Sequence, residues 1–280
     1  MIVDSHVHVW RIDPDRYPLG PTAPNWNSYP DEEGTAEELL EEMDVHGVDR
    51  TVLIQCSWST WDNGYIADCV ARYPGRFIGQ GLIDPQAADN AAKAHYWIAQ
   101  RGLAGFRFHP IYYPNEKILT GERNQELWEQ IAALGAVVQL QLRPPFADQA
   151  AFLAERFPTM ALIIDHMGYP QVAEGEASFQ PIIDLARFQN VHIKLSDVAG
   201  RSQERFPYRD VHGFIQRLLQ VFGSERMVWG TGYPGRHRIK HQWPTLAQEL
   251  RLIREGLPFL TNADKEQVLG ATASRIWNLT

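Results

Sequence analysis

The sequence Ile2-Val3-Asp4-Ser5-His6-Val7-His8-Val9-Trp10 sets two histidines two residues apart in an apolar segment. In a strand, alternate side chains share a face, so strict alternation puts Asp4, His6 and His8 on one side and Val3, Val7 and Val9 on the other. Two imidazoles at that spacing can hold one metal ion or polarise one substrate oxygen. Histidines at a strand end also serve plain packing, so the pair needs the rest of the chain to give it meaning.

Further polar residues fall in phase within other apolar segments. Gly105-Phe106-Arg107-Phe108-His109 turns Arg107 and His109 to the face opposite its phenylalanines. Gln139-Leu140-Gln141-Leu142-Arg143 does the same with Gln139, Gln141 and Arg143, and His192-Ile193-Lys194-Leu195-Ser196 with His192, Lys194 and Ser196. In Ile163-Ile164-Asp165-His166-Met167-Gly168, His166 is in phase with Ile164. Buried polar groups are costly unless paired, so a shared interior lined in this way implies chemistry rather than packing. Any one of these residues could equally satisfy a neighbour; Arg107 or Lys194 could pair with a deep carboxylate such as Asp4. His109 and His166 are candidate general bases, because histidine titrates near neutrality. Arg107, Arg143 and Lys194 make the interior cationic and suited to a carboxylate or a developing oxyanion.

Something must bring these residues together. Apolar segments at 2–9, 51–56, 77–83, 103–109, 136–142, 160–166, 191–196 and 226–231 alternate with helical patterns between them. Thr35 with Glu38 forms a capping box before one such helix, and Gly47 stops it. Strand–helix alternation repeated eight times predicts an α/β fold, a (β/α)8 TIM barrel over residues 1–280 as one domain. An open doubly wound sheet would carry a glycine-rich phosphate turn where this chain has its histidines. Barrel activity sits at the C-terminal strand ends, where His8, His109, Arg143, His166 and Ser196 collect. The long segment 11–34, with Tyr17, Trp26 and Tyr29, predicts a lid over the barrel mouth, and Trp26 is a candidate substrate contact.

Composition narrows the function. The formal net charge of −8 and scattered lysines and arginines argue against a nucleic-acid partner. No stretch is long and apolar enough to span a bilayer, no signal peptide is visible, and Cys56 and Cys69 are too few for a disulfide framework. A cytoplasmic enzyme for a small molecule, with room for a homo-oligomer, is the expectation.

The His-x-His strand, Gly-Phe-Arg-Phe-His-Pro, Ile-Asp-His-Met-Gly, Ile-Lys-Leu-Ser, Trp-Gly-Thr-x-Tyr-Pro and Ala-x-Arg-Ile-Trp-Asn-Leu together resemble the amidohydrolase-related family of the amidohydrolase superfamily. That branch holds sugar-lactone and pyrone-dicarboxylate lactonases, with aromatic-acid decarboxylases more distant. The resemblance implies a distorted TIM barrel that hydrolyses a small carboxylated lactone or related cyclic ester. A decarboxylase of a small aromatic or unsaturated acid is the alternative. It implies that His6, His8 and His166 occupy the family's metal or substrate site, with either no cofactor or a single divalent ion such as zinc. It places Arg107 and Lys194 in the substrate pocket, where the residues themselves also suggest Arg143 and Gln141. One departure matters. After Trp229-Gly230-Thr231 the family typically has an aspartate acting as metal ligand and general base, and here the residue is Gly232. A glycine can do neither job. Either another group supplies the base or the chain has become a small-acid binding protein.

Overall fold

The computed structural model describes residues 1–20, 30–59 and 61–280. Eight strands pair in sequence order: β1 Val3–Val7, β2 Arg50–Ile54, β3 Phe77–Leu82, β4 Gly105–Phe108, β5 Val137–Leu140, β6 Leu162–Ile164, β7 Val191–Leu195 and β8 Met227–Trp229. Every neighbouring pair is parallel. The ring closes between β8 and β1 chiefly at Gly232: the Gly232 N–H donates to the His6 carbonyl, and the His8 N–H donates to the Gly232 carbonyl, both at 2.7 Å. The expected barrel is therefore present.

Two apolar layers hold it. Inside, Val3, Val52, Ile54, Val137, Ile163 and Val228 fill the lower lumen against Ala273 and Trp277 near the C-terminus. Outside, the opposite strand faces pack against the helices in one large core that includes Val7, Phe106, Phe108, Leu140, Ile164 and Leu195. All strands but β1 thus divide between two environments by alternation alone. The upper lumen is where the alternating set turns polar.

Helix ends follow local chemistry. Thr35 accepts from the Glu38 N–H at the start of helix Ala36–His46, and Gly47 ends it at φ 70°. The Glu38 carboxylate does not complete the capping box. It accepts from Arg236 N and Nε at 3.0 and 3.2 Å, tying this helix to the segment after β8. Both described flanks of the long segment 11–34 are anchored, Gly34 by a bridge to Trp10 and Gly20 by a bridge to Ser59. Trp26 falls within 21–29, outside the described residues. No helix among the described residues is long and apolar enough to cross a membrane.

One strand breaks the simple rule. The β1–β2 register shifts between Asp4 and Val7, so β1 changes phase part-way. Val3 lies in the inner cluster whereas Val7 and Val9 lie in the outer core. His6 and His8 still face the lumen, but Asp4 does not join them. Its carboxylate instead accepts from Thr231 N at 3.1 Å and Thr231 Oγ1 at 2.6 Å, across the closing seam. Bulges of this kind re-aim side chains next to functional sites.

Candidate active site

Three charges form the floor of the upper lumen. Arg107 on β4 donates from Nε to Asp165 Oδ2 at 2.6 Å, and Lys194 Nζ on β7 forms an ion pair with Asp165 Oδ1 at 2.8 Å. Lys194 and Asp165 are wholly buried and Arg107 nearly so. The deep carboxylate is thus Asp165 rather than Asp4. Burial alone would raise the Asp165 pKa, but Lys194 and Arg107 outweigh it and hold the group well below the usual carboxylate range. Burial brings Lys194 down to about 8 against the pull of Asp165. The cluster keeps a net positive charge, as the cationic interior required.

Phase with Ile164 points His166 inward on sequence alone, with Asp165 as a residue that caps or orients a neighbour; the fold reverses the two. Ile163 belongs to the inner cluster and Ile164 to the outer core, so alternation sends Asp165 inward and not His166. His166 reaches the lumen by another route. His166, Met167, Gly168 and Tyr169 all have positive φ, at 52°, 59°, 75° and 60°, which turns the chain back over the strand end. Such conformations cost on the order of 1–3 kcal/mol for a non-glycine residue and persist where function holds them. The balance of charge, two inward cations calling for an inward carboxylate, points to Asp4, and the fold supplies Asp165 instead.

The hydrogen bonds assign the histidine tautomers. His8 Nδ1 donates to the Ile54 carbonyl at 2.9 Å, leaving Nε2 to accept from His6 Nε2 at 3.2 Å. His6 Nδ1 then accepts from Lys194 Nζ at 3.1 Å. His166 Nδ1 donates to Ser196 Oγ at 2.9 Å, while its Nε2 accepts from Arg107 Nη2 at 3.2 Å. Both nitrogens of each ring that can be assigned are engaged. All three imidazoles stay neutral, chiefly through burial and further through the positive field; His8 is lowered to about 3, and His6 and His166 lie well below the ordinary value.

A cavity of about 450 Å³ opens above this floor. His6, His8, His166, Arg107 and Gln141 line it, with the rings of Trp58, Tyr112, Tyr169, Tyr233 and Trp243 around them. Gln141 donates to the Tyr169 hydroxyl. Arg143 does not line the cavity. Strand β5 ends at Leu140 and the chain leaves the lumen before Pro144, so Arg143 is exposed at the rim with its guanidinium 5.7 Å from the centre of the Tyr169 ring. His109 is buried behind the wall, stacked on Tyr112 at 4.9 Å, and burial foremost lowers its pKa well below the ordinary value. Gly232 lies on the wall at φ 128°, with open space where a side chain would begin.

The profile of the amidohydrolase family matches residues 3–279. This chain is an amidohydrolase. It is 27% identical to the 4-sulfomuconolactone hydrolase of Hydrogenophaga intermedia over 82% of this chain and 74% of that protein. It is 25% identical to the 2-pyrone-4,6-dicarboxylate hydrolase of Comamonas testosteroni over 83% and 76%. A crystal structure of an amidohydrolase from Burkholderia multivorans with zinc bound shares the fold at a TM-score of 0.77, with 19% identity and full coverage of both chains.

A divalent ion in the family raises the question of whether these residues fit one. The groups close enough to share an ion are His6, Asp165 and His166, not the trio that includes His8. Lys194 bonds both His6 and Asp165, and Arg107 bonds both Asp165 and His166. His6 Nδ1, His166 Nε2 and both Asp165 oxygens each face a fixed positive charge. No side chain at Gly232 completes the set. The trio does not fit a divalent cation, because Lys194 and Arg107 already supply the charge such an ion would bring.

Proposed function

We propose that this amidohydrolase opens the ring of a small carboxylated lactone or related cyclic ester by adding water. The observation that carries this is Arg107, fixed by Asp165 and His166 beside three neutral imidazoles at the base of an aromatic-walled cavity. The hydrolases of a sulfomuconolactone and a pyrone dicarboxylate among its relatives support it.

The chain's own groups suit that reaction. Arg107 spends two N–H donors on Asp165 and His166, and the remainder are available to a lactone carbonyl oxygen. Charge that develops on this oxygen meets a cation whose position was set during folding, so little reorganisation opposes it. Tyr112, Tyr169 and Tyr233 suit a planar ring, and burial pushes Tyr169 up to about 12, so its hydroxyl keeps its proton. His166 is a poor choice for activating water, since both its nitrogens are engaged and its basicity is suppressed.

The test is a panel of lactones from sugar acids and from unsaturated dicarboxylic acids, assayed before and after dialysis against a chelator. Ring opening that survives chelation is expected, with planar carboxylated lactones preferred. Carbon dioxide release from an aromatic acid would replace this reading with a decarboxylase. Thermal stabilisation by small acids without turnover of any compound would replace it with a binding protein.

A further inference from the structure

If the strand-eight carboxylate is missing and the imidazoles are unsuited to proton transfer, acid and base must come from elsewhere on the same cavity. Two carboxyl groups line it: Asp197, just after β7, and Glu249, on the helix Leu246–Arg251 that follows β8. Their surroundings differ sharply. Asp197 Oδ2 is paired with Arg201 Nη2 at 3.0 Å, and its backbone sits at φ 55°, a left-handed conformation at the end of the strand. Ser196, immediately before it, is the residue that holds His166. Glu249 is 6% exposed, and its carboxyl makes no hydrogen bond or ion pair with the described residues. A buried carboxyl with no partner is expensive unless it is protonated or has something to bind in the space it faces.

We propose that Asp197 and Glu249 form the acid–base pair of this enzyme, Asp197 taking the proton from water and Glu249 giving one to the leaving ring oxygen. The assignment rests on the lactone-hydrolase reading and supplies the base that Gly232 cannot. As the water oxygen bonds to the lactone carbonyl carbon, one water proton passes to the Asp197 carboxylate and the carbonyl π electrons move to the oxygen beside Arg107. When that carbonyl re-forms, the carbon–ring oxygen bond breaks, and the leaving oxygen takes the Glu249 proton. A proton then returns from Asp197 to Glu249 through solvent. Lactone and water go in, and a hydroxy acid comes out.

Titration agrees with these roles. Burial pushes Glu249 up to about 8; Arg238, which faces it from the helix Gly235–Lys240, opposes this, while Asp4 on β1 and Asp197 reinforce it. Tyr208, from the segment before helix His212–Phe222, also faces Glu249. Burial also raises Asp197 above its ordinary value, a shift that Arg201 limits by charge and hydrogen bond. Two titratable groups whose environments separate their affinities for a proton are the mark of an assigned acid and base.

The experiment compares the wild type, Glu249→Gln and Asp197→Asn on two lactones, one with an alkyl leaving oxygen and one with an enol or phenol leaving oxygen. Glu249→Gln is expected to lower kcat on the alkyl lactone by about 100-fold or more, to leave KM within a few-fold, and to erase the alkaline limb of the pH profile. The activated lactone, whose leaving oxygen needs no proton, is expected to recover most of that loss. Asp197→Asn is expected to lose activity on both and to erase the acidic limb. Equal losses of Glu249→Gln on the two lactones would overturn its role as acid, and a wild-type rate and profile in either variant would overturn the pair while leaving the lactonase reading intact. Failure of the wild type on every lactone would overturn both.

Discussion

Two walls of the same cavity are built on opposite principles. On the side of β4, β6 and β7, Arg107, Asp165 and Lys194 lock one another and the histidines into a fixed pattern of donors and acceptors. On the side of β8, Gly232 leaves open space and the Glu249 carboxyl has no hydrogen-bond or ion-pair partner among the described residues. A group whose proton is held by several neighbours cannot easily exchange it, whereas a lone buried carboxyl can. The locked wall therefore sets charge and shape, and the open wall is where protons can move.

That contrast breaks most visibly at Asp165. Asp165→Ala strands Arg107 and Lys194 without their counter-charge, and a loss of about 3–5 kcal/mol in urea unfolding is expected. Removing one partner from a buried charge cluster costs far more than the cluster itself contributes. A loss below 1 kcal/mol would show that the two cations are solvated and that the wall is not locked. At Arg107, substitution by lysine keeps the charge and removes the fork that binds Asp165 and His166 together. A fall in kcat/KM of roughly 100-fold is expected, equivalent to about 2.7 kcal/mol of transition-state stabilisation. Retained activity would mean that charge without orientation suffices.

The open wall gives effects of a different kind. Gly232→Asp places a side chain into free space but forces an aspartate to φ 128°, so about 1–3 kcal/mol of stability should be lost despite the room. The other effect is a slope with pH. Glu249 stays protonated in the fold up to about 8 but ionises near 4.3 once unfolded, so the fold binds the extra proton between these values. This contribution is complete below pH 4 and is lost as pH rises through about 8, at about 1.4 kcal/mol per pH unit while it titrates. Glu249→Gln removes it, so the variant should gain on the wild type in denaturant midpoint between pH 5 and pH 8. Parallel profiles would place the Glu249 carboxyl in water.

The sequence was legible wherever a periodic rule applied without interruption. Alternation gave all eight strands and turned Arg107, Gln139, Gln141 and Lys194 to the correct side. It failed where the period was broken: by the register shift in β1 that released Asp4, by the left-handed run that carries His166, and by the end of β5 that let Arg143 out to the rim. Those interruptions are local backbone events, and residue type alone does not disclose them. Glu249 was hidden for a different reason. In Leu246-Ala247-Gln248-Glu249-Leu250 it looks like an ordinary helix-surface acid, and only the tertiary placement of that helix buries it.

The seam at Gly232 joins strands from the two ends of the chain. His6 and His8 lend their backbone to that joint, so the residues that shape the reaction chamber gain their final positions only when the last strand arrives. Contacts between such distant segments carry the largest loop-closure cost and form late. During refolding, enzymatic competence should trail the recovery of helical signal, and a chain stalled before its final strand would hold most of the architecture yet perform no chemistry.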